Sequence, residues 1–179
     1  ANKSWNEKYV ASFTAQLNLL KNLVLRTCLG YDKTYNGMDG YTMLYYMSSV
    51  KQTHITKTTK ETHQSYVWQV ENTLNYDQSF GKHSLSVLLG QSTKESGGNM
   101  LGVIVQRLKD LNRPYISYTD ALEERGDYYS WGYPVINSRL ASYFSRLSYN
   151  YDEKYMVSLI LRRDGSSNFA PGHRWGTFP

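Results

Sequence analysis

Residues 139–163 read RLASYFSRLSYNYDEKYMVSLILRR, and the fold is decided there. Ala141, Tyr143, Leu147 and Tyr149 fall on alternate positions, with Ser142, Arg146, Ser148 and Asn150 on the others. Asp152, Glu153 and Lys154 interrupt the pattern. It resumes with Tyr155, Val157, Leu159 and Leu161, alternating with Ser158 and Arg162. Successive side chains of a strand point to opposite faces, so apolar residues recurring at a period of two predict two antiparallel strands joined by a tight turn.

Moving toward the N-terminus, the same pattern returns twice. Tyr66, Trp68, Val70, Leu74 and Tyr76 alternate with Gln69, Glu71, Thr73, Asn75 and Asp77. After a turn at 78–82, in which Gly81 is free to take φ > 0, Leu85, Val87 and Leu89 alternate with Ser84, Ser86, Gly90 and Ser92. Earlier still, Tyr9, Ala11, Phe13, Ala15, Leu17 and Leu19 share one face. Past Lys21-Asn22, Leu23, Leu25, Leu29 and Tyr31 alternate with Arg26, Cys28, Gly30 and Asp32. Strands are expected near 8–20, 22–34, 61–77, 82–94, 139–151 and 154–164. Long connections are expected at 33–62 and 93–138, and 106–111 reads as a single helical turn.

Short turns within pairs and long connections between them describe a transmembrane β-barrel, whose strands show lipid only at every second side chain. Each run reaches the ~9–11 residues needed to cross a bilayer. Tyr76, Phe80, Tyr149, Tyr151 and Tyr155 cluster beside the short turns, where an interfacial aromatic girdle would sit. The sequence has 17 tyrosines among 179 residues. Its mean hydropathy of −0.58 is low, as half-polar strands make it. A soluble β-sandwich, acting as a glycan-binding or adhesion module, also fits alternation with one polar face. It differs in requiring a second sheet over the apolar side.

Other classes find little support. No run of about 18 apolar residues predicts a transmembrane helix, and residues 1–7 show no signal-peptide core. The net charge of +5 is dispersed rather than striped, so no nucleic-acid partner is expected. The single cysteine, Cys28, has no internal partner. His54, His63, His83 and His173 lie in separate segments without metal-ligand spacing. Asp120, Glu123, Glu124 and Asp127 lack the spacing of a calcium loop. Gly97-Gly98 is not followed by the Lys-Ser/Thr of a phosphate loop. Neither metal, cofactor nor catalytic residue is expected, and the chain is not read as an enzyme. Tyr115, Tyr118, Tyr128, Tyr129, Trp131 and Tyr133 are candidate loop contacts to substrate, because aromatic platforms with phenol hydroxyls suit sugar rings and peptide side chains.

The C-terminal stretch reads RRDGSSNF at 162–169 and HRWGTFP at 173–179. It resembles the corresponding stretch of SusC/RagA-type TonB-dependent outer-membrane transporters. ASYF at 141–144 and YNYDEKY at 149–155 are similar to the strand pair preceding that motif, and LNYDQSFGKH at 74–83 resembles a periplasmic hairpin of the family. The likeness covers roughly 65–179. Asn168, Ala170 and His173 depart from the residues usual there, and the first 60 residues match in strand pattern only.

The resemblance implies an all-β chain forming about six strands of a larger antiparallel transmembrane barrel, so 1–179 is expected to be a partial barrel without the plug domain. It further implies the cell outer membrane of a Gram-negative bacterium, import of oligomeric nutrients (glycans first, peptides second), a SusD-like surface lipoprotein as partner, and TonB acting through parts of the protein outside this chain. Read from the residues, Arg162, Arg163 and Asp164 end an apolar strand. Gly165, Ser166 and Ser167 then suit a turn or bulge. Trp175 and Phe178 begin a return strand. Asp164, Gly165, Ser166, Ser167, Phe169, Arg174, Trp175, Gly176 and Phe178 thus read as a structural rim turn. In that reading Gly165 supplies a conformation closed to other residues, and Arg174 counts for less unless it pairs with Asp164.

Overall fold

Every described element of the chain is a β-strand. A computed structural model describes residues 2–108 and 128–179. In chain order the strands are β1 (Asn2–Leu20), β2 (Leu23–Thr42), β3 (Tyr45–Tyr46), β4 (Gln52–Thr53), β5 (Lys57–Phe80), β6 (His83–Gln106), β7 (Tyr128–Tyr151), β8 (Tyr155–Ser166) and β9 (Trp175–Phe178). Seven of them form one sheet in the order β1-β2-β5-β6-β7-β8-β9, while β3 and β4 pair with each other. Each strand of the large sheet therefore lies beside its neighbours in sequence, an up-and-down meander. One sheet takes all six expected runs, so the soluble sandwich, which needs two facing sheets, does not fit.

The three short turns fall where the pattern breaks, at Lys21-Asn22, Gly81-Lys82 and 152–154. Gly81 has φ +59°, which costs glycine nothing. Asp152 and Glu153 also have positive φ, at 52° and 55°, and Lys154 N–H closes the turn on the Tyr151 carbonyl at 3.0 Å. Two consecutive left-handed residues give the twist that matches flanking strands. Asp tolerates that region better than Glu.

The strands are much longer than expected. Residues 33–42, 57–62, 93–106 and 128–138 were expected to be connections and are strand. A 24-residue strand such as β5 has more than twice the ~9–11 residues that cross a bilayer. Backbone pairing continues in these stretches although glycines, prolines and polar residues break up the apolar pattern. Gln106, the start of the expected helical turn, ends β6 and Arg107 follows with φ 54°; 109–111 lie outside the described residues.

The chain divides into two compact units. One contains 10–32, 66–97 and 137–179; the other contains 1–9, 33–65 and 98–136. The first holds the strand portions next to the short turns and most of the alternation read from the sequence. The second has a small core of its own. Val105 is 1% and Leu108 7% exposed, with Tyr41 and Val103 packed against them. Leu108 N–H donates to Thr56 Oγ1 at 2.8 Å and Arg107 N–H to the Thr56 carbonyl at 2.9 Å.

Candidate functional site

Cross-strand register sorts the turn-proximal unit into two faces. β7 and β8 pair Tyr151 with Tyr155, Tyr149 with Val157, Leu147 with Leu159, Ser145 with Leu161, Tyr143 with Arg163 and Ala141 with Gly165. β9 continues the row by pairing Thr177 with Arg163 and Trp175 with Gly165. Paired residues share a face, so the apolar positions of both strands line one side, as alternation predicts. Among the described residues that side is open: Leu159 is 60% and Val157 57% exposed on β8.

Aromatic rings bound the apolar band at both ends. Next to the short turns, Tyr151 and Tyr155 stack at 6.5 Å. His83 stacks on Phe80 at 5.1 Å and shares a 2.6 Å hydrogen bond with the Tyr149 hydroxyl. At the other end Tyr143 stacks on Trp175 at 6.0 Å, and the Arg163 guanidinium lies 5.3 Å above the same indole. From Tyr155 to Arg163 a strand advances about 27 Å at ~3.4 Å per residue, which at a tilt near 40° spans about 20 Å; the apolar band of a membrane barrel is ~25 Å tall. Beyond this band a polar group takes over: Glu95 accepts from Arg139 Nε at 2.8 Å and from the Tyr66 hydroxyl at 3.1 Å.

The opposite face is largely polar on β7 but carries the Phe144 ring there and Met156 and Ile160 on β8. Ser142 pairs with Asp164, Phe144 with Arg162, Ser148 with Ser158 and Asn150 with Met156. Arg162 Nε donates to both Asp164 oxygens, at 2.9 and 2.8 Å, and its guanidinium lies 5.8 Å over the Phe144 ring. Phe144 in turn lies over Gly90 of β6, where a Cβ would come within 2.1 Å of the ring. Periodicity assigned Phe144 to neither face; Gly90 inside an alternating strand was the available hint. Asn150 Oδ1 is buried on this side without a hydrogen-bond partner among the described residues.

The C-terminal motif forms the β8–β9 hairpin. Ser166 N–H bonds the Arg174 carbonyl and Ser167 N–H the Arg139 carbonyl, both at 2.9 Å. Ser167 Oγ accepts from Arg139 N–H at 2.8 Å, and Ser166 Oγ accepts from Asn168 N–H at 3.2 Å. Arg174 Nε donates to the Phe169 carbonyl at 3.1 Å. Asp164 is thus held by Arg162 and not by Arg174. A second correction concerns Gly165. It lies within β8, and the left-handed glycine of the connection is Gly172, at φ +89°. What Gly165 provides is room, because a Cβ there would meet the Trp175 indole at 2.8 Å. Trp175, Gly176 and Phe178 form the return strand β9, with Gly176 opposite Asp164 and Phe178 opposite Arg162.

Tyr128, Tyr129, Trp131 and Tyr133 were expected in a loop and belong to β7. Tyr129 and Trp131 have ring centres 5.5 Å apart, and Trp131 covers Gly102 of β6. Tyr115, Tyr118 and the acidic residues 120, 123, 124 and 127 lie outside the described residues. Among the described residues, no three potential metal ligands come together. In the turn at 152–154, which lies outside the apolar band, hydrogen bonds from Lys154 and Lys82 hold the Asp152 carboxyl below its ordinary pKa.

No family model matches the sequence. The chain is 31% identical over 120 residues to a TonB-dependent receptor of Formosa agariphila, covering 64% of this chain and 11% of that protein. It is 50% identical over 40 residues to the TonB-dependent receptor SusC of Bacteroides thetaiotaomicron, covering 22% of this chain and 4% of that one. The solved structure of the RagAB peptide transporter superposes with a TM-score of 0.86 at 22% identity, over 98% of this chain and 19% of the matched one. The chain therefore spans about a tenth of the curated relative it matches over the longest stretch. It is similar to SusC/RagA-type TonB-dependent receptors over that part of their length, and its fold is that of an antiparallel transmembrane β-barrel segment.

Proposed function

We propose that residues 1–179 form a stretch of the barrel wall of an outer-membrane TonB-dependent transporter in a Gram-negative bacterium. The observation that carries this reading is the unpacked apolar face closed by aromatic rings at both ends. In water such a face is a liability, and in a bilayer it is the required surface. The polar face then lines the lumen and meets the plug supplied by the rest of the protein. Transport itself belongs to the whole protein. The imported molecule is an oligomeric nutrient, a glycan first and a peptide second, captured with a SusD-like surface lipoprotein and released inward through TonB.

Within this wall the motif at 164–178 is structural. Its support is that Ser166, Ser167 and Arg174 spend their hydrogen bonds on the backbone of the same hairpin and of β7. Tyr128, Tyr129, Trp131 and Tyr133 of β7 remain candidate contacts for substrate. The test uses the full-length protein. It should fractionate with the outer membrane, run as a heat-modifiable band, and support growth on its oligomer only when TonB is present. Recovery of the wild-type protein as a detergent-free soluble species would overturn the proposal.

A further inference from the structure

On the apolar face, β6 to β9 enclose a groove of about 480 Å³. Its walls are Leu89, Tyr143 and Leu161; Ser145 and Thr177 are the small residues between them, and Arg163 lies at one end. The register explains the hollow. Ser145 stands opposite Leu161, and Thr177 opposite Arg163, so short side chains interrupt a surface otherwise covered by Leu and Tyr.

Arg163 is out of place on a face that meets hydrocarbon. Its neighbour Arg162, on the other face, is neutralised by Asp164 at 2.8 Å. Arg163 makes no ion pair with an acidic side chain among the described residues, and its guanidinium is oriented by the Trp175 indole 5.3 Å away. A cation at the edge of the apolar band with no acidic partner among the described residues suits a counter-ion from the membrane. Guanidinium geometry suits the oxygens of a phosphate.

We infer that this groove binds one phosphorylated lipid of the surrounding leaflet, its acyl chain between Tyr143 and Leu161 over Ser145 and its phosphate on Arg163. The inference rests on the membrane reading proposed above. It requires more than general solvation by lipid, because it ties a shaped apolar slot to one unneutralised charge.

The test takes the full-length protein, extracted in mild detergent, and counts retained lipid by native mass spectrometry with lipid A as probe. An uncharged lipid of matched chain length and inorganic phosphate serve as controls. Wild type should retain one lipid A after detergent exchange and neither control. Arg163→Gln removes the charge, and Ser145→Leu fills the slot with a residue at home in lipid. Arg163→Gln should weaken retention by about tenfold or more, the worth of a hydrogen bond to a charged group, and Ser145→Leu should lower it by closing the slot to the acyl chain, while Arg163→Lys keeps most of it. Equal retention by wild type, Arg163→Gln and Ser145→Leu, all as heat-modifiable barrels in the membrane, would overturn the groove alone. Equal binding of the uncharged lipid would do the same, and binding of inorganic phosphate without lipid would assign the site to a soluble anion. Absence of the wild-type protein from the outer membrane would instead remove the membrane reading, and the groove with it.

Discussion

Replacing Gly165 by alanine isolates what the C-terminal motif contributes. An added Cβ would lie 2.8 Å from Cδ2 and Cε3 of Trp175 and 2.9 Å from Cε2. Ordinary contact is ~3.5–4.0 Å, so the indole must retreat by roughly 1 Å. It is not free to do so without loss, because it stacks on Tyr143 and carries Arg163 on its ring. Overpacking costs about 1–3 kcal/mol, and losing part of an aromatic pair adds ~0.5–1.5. Trp175 is 47% exposed and can yield outward, which places Gly165→Ala near the low end, at about 1–2 kcal/mol. Backbone strain contributes nothing, since Gly165 does not have positive φ. The assay is urea unfolding of the full-length barrel in lipid vesicles, followed by heat-modifiability, for Gly165→Ala in the wild-type and Trp175→Ala backgrounds. Alanine at 165 should destabilise the first and leave the second within about 0.5 kcal/mol, a coupling characteristic of residues in contact. An equal loss in both backgrounds would refute the clash argument and return Gly165 to a backbone role.

Two further outcomes follow from the turn at 152–154. The Asp152 pKa is depressed by hydrogen bonds from Lys154 and Lys82, so its contribution is present above the unfolded carboxylate pKa and is lost as pH falls through the lower folded value. The stability difference between wild type and Asp152→Asn should therefore hold from neutrality down to about pH 5 and shrink below about pH 4; a difference that grows on acidification would contradict it. Glu153→Gly should stabilise the barrel by roughly 0.5–1 kcal/mol in urea, because relief of a left-handed conformation, ~1–2 kcal/mol, outweighs the entropy that glycine loses on folding. A lower urea midpoint would show that the side chain matters more than the backbone.

The turn-proximal half of the strands was legible in the sequence because its two faces differ in polarity. Tyr149, Leu147 and Leu159 fall on one face, between serines and arginines that fall on the other. The start of β7 was missed for a different reason. Tyr129, Trp131, Tyr133 and Val135 do alternate with Ser130, Gly132 and Pro134, but the glycine and proline among them made the run read as loop. Phe144 could not be placed by periodicity because it is a large ring on the polar side, tolerated only where Gly90 opens a space. The role of Gly165 was misread because a glycine that precedes serines suggests a turn, whereas a glycine kept for a neighbouring indole leaves no local trace. Asp164 was weighed only against the distant Arg174, whereas Arg162, two residues away on the same face, holds it.

Alternation protects a barrel from one kind of assembly error only. A strand displaced by one residue turns its whole apolar set toward the wrong side, but a strand displaced by two residues keeps every face correct. The aromatic rings seated on glycines remove that blind spot. Trp5 lies against Gly37 between β1 and β2, Phe144 and Trp131 against Gly90 and Gly102 between β6 and β7, and Trp175 against Gly165 between β8 and β9. Displaced by two, Trp175 would land on Arg163 or Ser167, and Phe144 on Leu88 or Ser92. Each ring accepts only one partner along its neighbour, so these pairs act as proofreading marks, rejecting the mispairings that hydrophobic pattern lets through.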